Sequence, residues 1–171
     1  MKLKIDHELA LERINLSYLE DVFLSFDSEV IKYLPLKTPP KEISITKKFI
    51  EDAQERFARE IDLNFVILKE SSFVGCCGIR GLNTKRGDFG YWIKKSEQGK
   101  GIGKKVASYL IHWSFENYEL EYIKYPVDKR NLPSIKIIES IGGEIYDQYP
   151  FGEENCLDIL EYRVMKGEAI H

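Results

Sequence analysis

The sequence predicts an α/β domain with a mixed sheet. Three strand-like runs follow one another between Asn64 and Ile93, and beyond them helical and strand-like segments alternate to the end of the chain. With 171 residues and no internal repeat or low-complexity linker, the chain has room for one domain, expected over 1–171. A globule of this length removes about 70% of its unfolded surface from water, enough for an independent core.

The first third is the least regular. Ile5–Ile14 reads as an opening strand with a turn, and Leu16–Phe26 as a short helix. Pro35, Pro39 and Pro40 then interrupt regular structure. From Lys41, Ile43, Ile50, Ala53 and Phe57 recur at helical intervals, with Phe49 added to the same face, and predict a helix to about Arg59. Asn64–Lys69 and Phe73–Ile79 are strand-like, joined by the tight connection Glu70-Ser71-Ser72; Asp88–Ile93 follows a polar turn at Thr84-Lys85-Arg86-Gly87. A glycine-rich turn then opens a helix over Gly101–Asn117, whose buried face is marked by Ile102, Val106, Leu110 and Trp113. Tyr122–Val127 is a further strand. Asn131 can cap the next helix, Pro133 fits its first turn, and Gly142-Gly143 ends it. Glu144–Tyr149 and Cys156–Met165 close the chain as strands.

Composition narrows the function. Hydrophobic residues make up 43% and charged residues 31%, the profile of a soluble globular chain. The 28 acidic and 25 basic residues give a formal charge of −3, which argues against a nucleic-acid coat or a polybasic membrane anchor. No stretch approaches the roughly 20 apolar residues of a membrane span. Three cysteines, Cys76 and Cys77 adjacent, do not make a disulfide framework, so a reducing cytoplasm is the expected address. His7, His112 and His171 are scattered and no paired-cysteine spacing exists, so no metal site is expected.

The most informative segment runs from Gly90 to Lys104. A strand enters, Gly99, Gly101 and Gly103 make a turn, and an amphipathic helix leaves. Such a turn presents backbone N–H groups at the positive end of a helix and suits a phosphate or pyrophosphate. Lys94–Lys105 holds five lysines and one glutamate, a local +4 on a chain of −3. A helix start with a solvated lysine fringe is the competing reading. Two nucleotide motifs fail. A Walker turn would need glycine where Gln98 stands and a hydroxyl where Lys105 stands, and the dinucleotide fingerprint would need glycine at Lys104.

The turn Gln98-Gly99-Lys100-Gly101-Ile102-Gly103 resembles the Gln/Arg-x-x-Gly-x-Gly/Ala signature of the GNAT N-acetyltransferases. The preceding Gly90-Tyr91-Trp92-Ile93, the downstream Asn131-Leu132-Pro133-Ser134 and Glu139-Ser140-Ile141-Gly142, and the layout of the opening resemble the branch that contains ribosomal-protein N-terminal acetyltransferases. The resemblance covers nearly the whole chain. It implies a single-domain GNAT-like fold, a mixed and mostly antiparallel sheet of about six or seven strands flanked by helices. The cofactor-binding core would span about 63–142 and the C-terminal strands about 144–166.

It further implies transfer of acetyl from acetyl-CoA, as cosubstrate, directly to a primary amine of a small molecule or of a peptide or protein N-terminus. A CoA-binding sensor or interaction module without turnover is the alternative. The pyrophosphate would lie on the amides of Gln98, Gly99, Lys100, Gly101, Ile102, Gly103 and Lys104. The pantetheine would lie along Trp92, Ile93 and Lys94, with Asn131 and Ser134 at its arm or thiol end. Lys100, Lys104 and Lys129 or Arg130 are candidates for the ribose 3′-phosphate.

Asp88 stands where relatives often carry a glutamate that takes the amine proton. Ile138 stands where many carry an acidic tyrosine, which leaves Ser134 as donor or positioner. Seven acidic residues between Ile137 and Tyr162, with no basic one, suggest a cationic acceptor if some of them face inward; Tyr33, Tyr146, Tyr149 and Phe151 are candidate channel residues. A monomer or homodimer is expected, with no nucleic-acid or membrane partner.

Overall fold

Strand Lys2–Lys4 (β1) turns back antiparallel onto Leu9–Arg13 (β2), so the opening strand expected over Ile5–Ile14 is a hairpin. Asp6 makes its turn, Oδ1 accepting from the amides of Glu8 and Leu9 at 2.8 Å each. The computed structural model describes residues 1–169; Ile170 and His171, one of the three histidines, lie outside the described residues. A 3₁₀ turn at Leu16–Tyr18 leads into helix Leu19–Ser25 (α1). A second at Val30–Tyr33 precedes the proline-bearing segment, and helix Ile43–Ala58 (α2) follows.

The inner face of α2 is Thr46, Ile50 and Ala53. Ile43 and Phe49, expected on that face, are exposed at 42% and 51%. With 3.6 residues per turn, neighbouring residues point about 100° apart. When Ile50 packs inward, Phe49 turns toward solvent and Thr46, a turn before Ile50, is buried instead.

Three antiparallel strands come next: Asp62–Lys69 (β3), Ser72–Arg80 (β4) and Arg86–Ile93 (β5). Glu70 and Ser71 sit at φ +48° and +68°, the two left-handed positions of a two-residue hairpin. Helix Ile102–Asn117 (α3) crosses over to strand Tyr122–Asp128 (β6), helix Leu132–Ser140 (α4) follows, and Glu144–Phe151 (β7) and Leu157–Met165 (β8) finish the chain.

The strands form one sheet of order β1-β2-β3-β4-β5-β6-β8-β7. Among the described residues only β5 and β6 pair in parallel, as a helical crossover requires. The opening hairpin accounts for the eighth strand. Alternation sorts each strand between two layers. Phe65, Ile67, Phe89 and Ile123 pack with Val106, Leu110 and Ile111 of α3 and Ile138 of α4, whereas Val66, Leu68 and Phe73 pack with Val22 of α1 and Ile50 of α2. Cys76 and Cys77 fall into opposite layers, and burial pushes both thiols well above their ordinary range. They are core residues.

Candidate active site

β5 and β6 pair only through Arg86, Gly87 and Asp88 against Tyr122, Ile123 and Lys124; beyond that register they separate. Aromatic rings floor the gap. The centroids of Phe89 and Tyr125 lie 5.4 Å apart, and those of Tyr91 and Tyr125 6.3 Å. At the end of β5 the Lys94 amide donates to Val74 O on β4 at 2.8 Å. Strand alternation then turns the peptide group of Ile93 toward the gap. Its carbonyl is taken by Gln98 Nε2 at 2.9 Å, which folds the following turn back against the strand.

Gly99 and Gly101 hold that turn at φ +75° and +77°, the left-handed region that glycine enters without a Cβ penalty. α3 begins at Gly101 with no side-chain cap. Lys105 is the first amide to find a helical acceptor, Gly101 O at 3.3 Å; the amides from Gly99 to Lys104 have no hydrogen-bond acceptor among the described residues. A row of unspent donors at the positive end of a four-turn helix is an anion cradle. Gly103 has a different reason to be glycine: a Cβ there would stand 3.0 Å from Tyr91 Cε2 and 3.2 Å from Ile137 Cδ1.

The gap and the turn open into one cavity of about 1070 Å³. Of the residues expected at the site, Asp88, Trp92, Ile93, Gln98, Gly99, Gly101, Ile102, Gly103, Lys104, Asn131 and Ser134 line it. Lys94 and Lys100 lie outside its wall. The amide of Lys94 is spent on β4, and the ammonium of Lys100 is paired with Glu97 at 3.2 Å. Asn131 caps α4 by accepting from the Ser134 amide at 3.4 Å. Ile138 is fully buried in the core, away from the cavity.

A hydroxyl cluster occupies the inner wall. Ser134 Oγ lies 2.7 Å from Tyr125 Oη and receives Tyr91 Oη at 3.4 Å. Burial, then the neighbouring Tyr91 hydroxyl, hold the Tyr125 phenol far above its ordinary range, so it keeps its proton. Sequence reasoning found Ser134 but missed both tyrosine hydroxyls as site groups. The available signal was the alternation placing Tyr91 beside Phe89 and Tyr125 between Ile123 and Val127.

At the far end, Asp88 Oδ2 pairs with Arg80 at 3.0 Å, while Oδ1 is buried and has no hydrogen-bond partner among the described residues. Tyr149 donates to Glu161 at 3.1 Å, and burial followed by that carboxylate pushes its phenol up to about 12. Tyr33, Tyr149 and Phe151 line the cavity. Tyr146 does not: it is 64% exposed, its ring 3.2 Å from the Arg163 guanidinium. None of the seven acidic residues of the C-terminal region reaches the cavity wall. Glu139 accepts from Tyr162, Asp158 pairs with Lys129, and Glu161 is buried against Arg163 and Tyr149.

Among the described residues there is no cluster of three or more metal-type side chains, and no helix is long and apolar enough to cross a membrane. His112 sits between the carbonyls of Ser108 and Ala169.

The strand pair thus separates beyond its first three residues, and an uncapped helix start with unpartnered amides stands at the mouth of the gap. The sequence model of the acetyltransferase (GNAT) domain matches residues 8–144, and the chain belongs to that family. It is 26% identical over 173 residues to the uncharacterised N-acetyltransferase p20 of Bacillus licheniformis, covering 94% of this chain and 97% of that protein.

Among solved structures, the fold is similar to the ribosomal L7/L12 α-N-protein acetyltransferase RimL in complex with coenzyme A. The TM-score is 0.86 at 15% identity, over 96% of this chain and 98% of that one. It is also similar to the microcin C7 self-immunity acetyltransferase MccE in complex with acetyl-CoA and AMP (TM-score 0.84, 20% identity, 95% and 94% covered). The protein is an acetyl-CoA-dependent N-acetyltransferase.

Proposed function

We propose that the Gly99–Lys104 turn holds the pyrophosphate of acetyl-CoA, that the gap at Ile93, Asn131 and Ser134 holds its pantetheine arm, and that Asp88 and Ser134 serve the transfer to a primary amine. The observation that carries this reading is the run of unspent amides beside two left-handed glycines, opening directly into the β5–β6 gap. Lys104 faces the cavity and is available to a further phosphate; Lys100 is held by Glu97.

Acetyl transfer requires a neutral amine, so one proton leaves the nitrogen and another reaches the departing thiolate. Asp88, whose Oδ1 has no hydrogen-bond partner among the described residues, is the acceptor for the first once its carboxylate turns toward the cavity it lines. Ser134 Oγ is the donor for the second. Its own proton is replaced by the one the nitrogen sheds as the tetrahedral adduct collapses, while Tyr91 and Tyr125, whose phenol stays neutral, fix its orientation. Phe89, Tyr91 and Tyr125 floor the gap with rings and limit water at the reacting end. The free thiols of Cys76, Cys77 and Cys156 suit a reducing compartment, in keeping with a cytoplasmic enzyme.

The test is turnover of acetyl-CoA with a panel of primary amines, followed as thiol release and as the mass gain of one acetyl group on the acceptor. Asp88→Asn is expected to lower kcat by about 10²-fold or more, the scale of a lost general base, with CoA affinity unchanged. An unchanged kcat in that variant removes Asp88 from the chemistry.

A further inference from the structure

The sheet register sets five charged residues in one row: Arg80 on β4, Asp88 on β5, Lys124 on β6, Arg163 on β8 and Glu144 on β7 stand directly opposite one another in turn, three cations against two carboxylates. Opposed residues share a face of the sheet, and the first three of these line the cavity. The charges do not cancel along the row. Asp88 is engaged by Arg80 at 3.0 Å, and Arg163 by Glu161 at 2.8 Å. Lys124 is left between a carboxylate already paired and a guanidinium of its own sign. Among the described residues it has no carboxylate within ion-pair distance. Like charges directly opposite on neighbouring strands are destabilising, so the arrangement is costly unless an anion joins it.

We infer that the acceptor is a primary amine carrying a carboxylate two or three bonds from its nucleophilic nitrogen, the nitrogen at Asp88 and the carboxylate at Lys124. This rests on the acetyl-transfer reading above. Asp88 lines the cavity, and its Oδ1 has no hydrogen-bond partner among the described residues, so a small side-chain rotation offers it to an amine N–H. Neighbouring strands lie about 4.8 Å apart, so one small zwitterion can reach Asp88 and a flanking cation together. A polyamine finds no comparable welcome, because the other carboxylates on the wall are taken: Glu29 by Lys95 at 3.1 Å, Asp128 by Arg130 at 2.8 Å, and Glu97 by Lys100.

The experiment compares L-aspartate, L-glutamate and L-methionine with their fully amidated counterparts, with spermidine as a cationic control. It reads kcat/KM with acetyl-CoA, and independently the melting shift each compound gives to the CoA-saturated protein. The free carboxylates are expected to be preferred by about 10-fold or more, the scale of one charge-assisted hydrogen bond. Lys124→Gln is expected to bring each pair close to parity while leaving the CoA melting shift intact. Amides or spermidine used or bound as well as the acids would overturn the inference, as would a preference that survives Lys124→Gln. The melting comparison reports on recognition even if turnover is absent. Acetylation without carboxylate preference sinks this inference alone, whereas carboxylate-selective binding without any acetylation sinks only the catalytic roles.

Discussion

Replacing Gly101 with alanine separates the backbone's need for glycine from the ligand's. Gly101 stands at φ +77°, and a Cβ built there meets nothing within 4 Å. The stability cost is therefore left-handed strain alone, about 1–2 kcal/mol. At about 2–4 °C per kcal/mol for a domain of this size, the melting temperature should fall by about 2–8 °C. Gly167 supplies the control: φ +89°, nothing within 4 Å of its Cβ, and no place on the cavity wall.

Gly167→Ala should lose similar stability and bind CoA normally. In Gly101→Ala the new methyl projects from the turn whose amides have no protein acceptor, into the open space a phosphate would occupy. Loss of even one hydrogen bond to a charged phosphate, about 1.5–3 kcal/mol, weakens CoA by about 10–150-fold. The assay is calorimetric titration of CoA into both variants, with melting curves alongside. Equal CoA affinity in Gly101→Ala and Gly167→Ala would refute the anion-cradle reasoning.

Three further outcomes follow from the packing and the charges. Ser134→Ala strips Tyr125 of its 2.7 Å partner and should cost about 1–3 kcal/mol in denaturant unfolding together with a fall in kcat; a variant of full activity would deny Ser134 a part in the chemistry. Ile138→Tyr should not restore an acidic tyrosine, because the site is fully buried: overpacking should cost about 1–3 kcal/mol with no gain in kcat. The Lys105 ion pair, then the Leu9 and Glu8 amides, hold the Asp6 carboxyl well below its ordinary 3.8. Its stabilisation is complete above about pH 4 and is lost as pH falls further, so the melting difference between wild type and Asp6→Asn should be present at pH 7 and shrink below pH 4.

What the sequence made legible was local. Gln98 to Gly103 could be identified because strand end, turn glycines and helix start are contiguous, and each acts through its own backbone. Asn131 and Pro133 were legible as a helix start for the same reason. The hydroxyl cluster was not, because Tyr91 and Tyr125 come from two strands that are neighbours only through a helical crossover. The charge row around Asp88 depends on the registers of β4, β5, β6 and β8, which alternation within one strand does not fix.

The acidic C-terminal run pointed toward a cationic acceptor, yet none of its seven carboxylates lines the cavity, and three of them, Glu139, Asp158 and Glu161, are spent on Lys129, Arg163 and two tyrosines, pairings invisible without the fold. Tyr146 left the channel because the Arg163 guanidinium stacks on its exposed ring. Phe49 and Thr46 exchanged places on α2 through a rotation of the buried stripe that five apolar residues left undetermined.

The central claim is that the turn and the gap together form a site for CoA. The most direct measurement is the melting temperature of the purified protein with acetyl-CoA, CoA, ATP and NAD in parallel. Ligand at about 100 times its dissociation constant adds roughly 2.7 kcal/mol, a shift of about 5–11 °C for a domain of this size. The account predicts that shift with acetyl-CoA and CoA and none of comparable size with ATP or NAD. No shift with either CoA species up to millimolar concentration, or equal shifts with all four ligands, would contradict it.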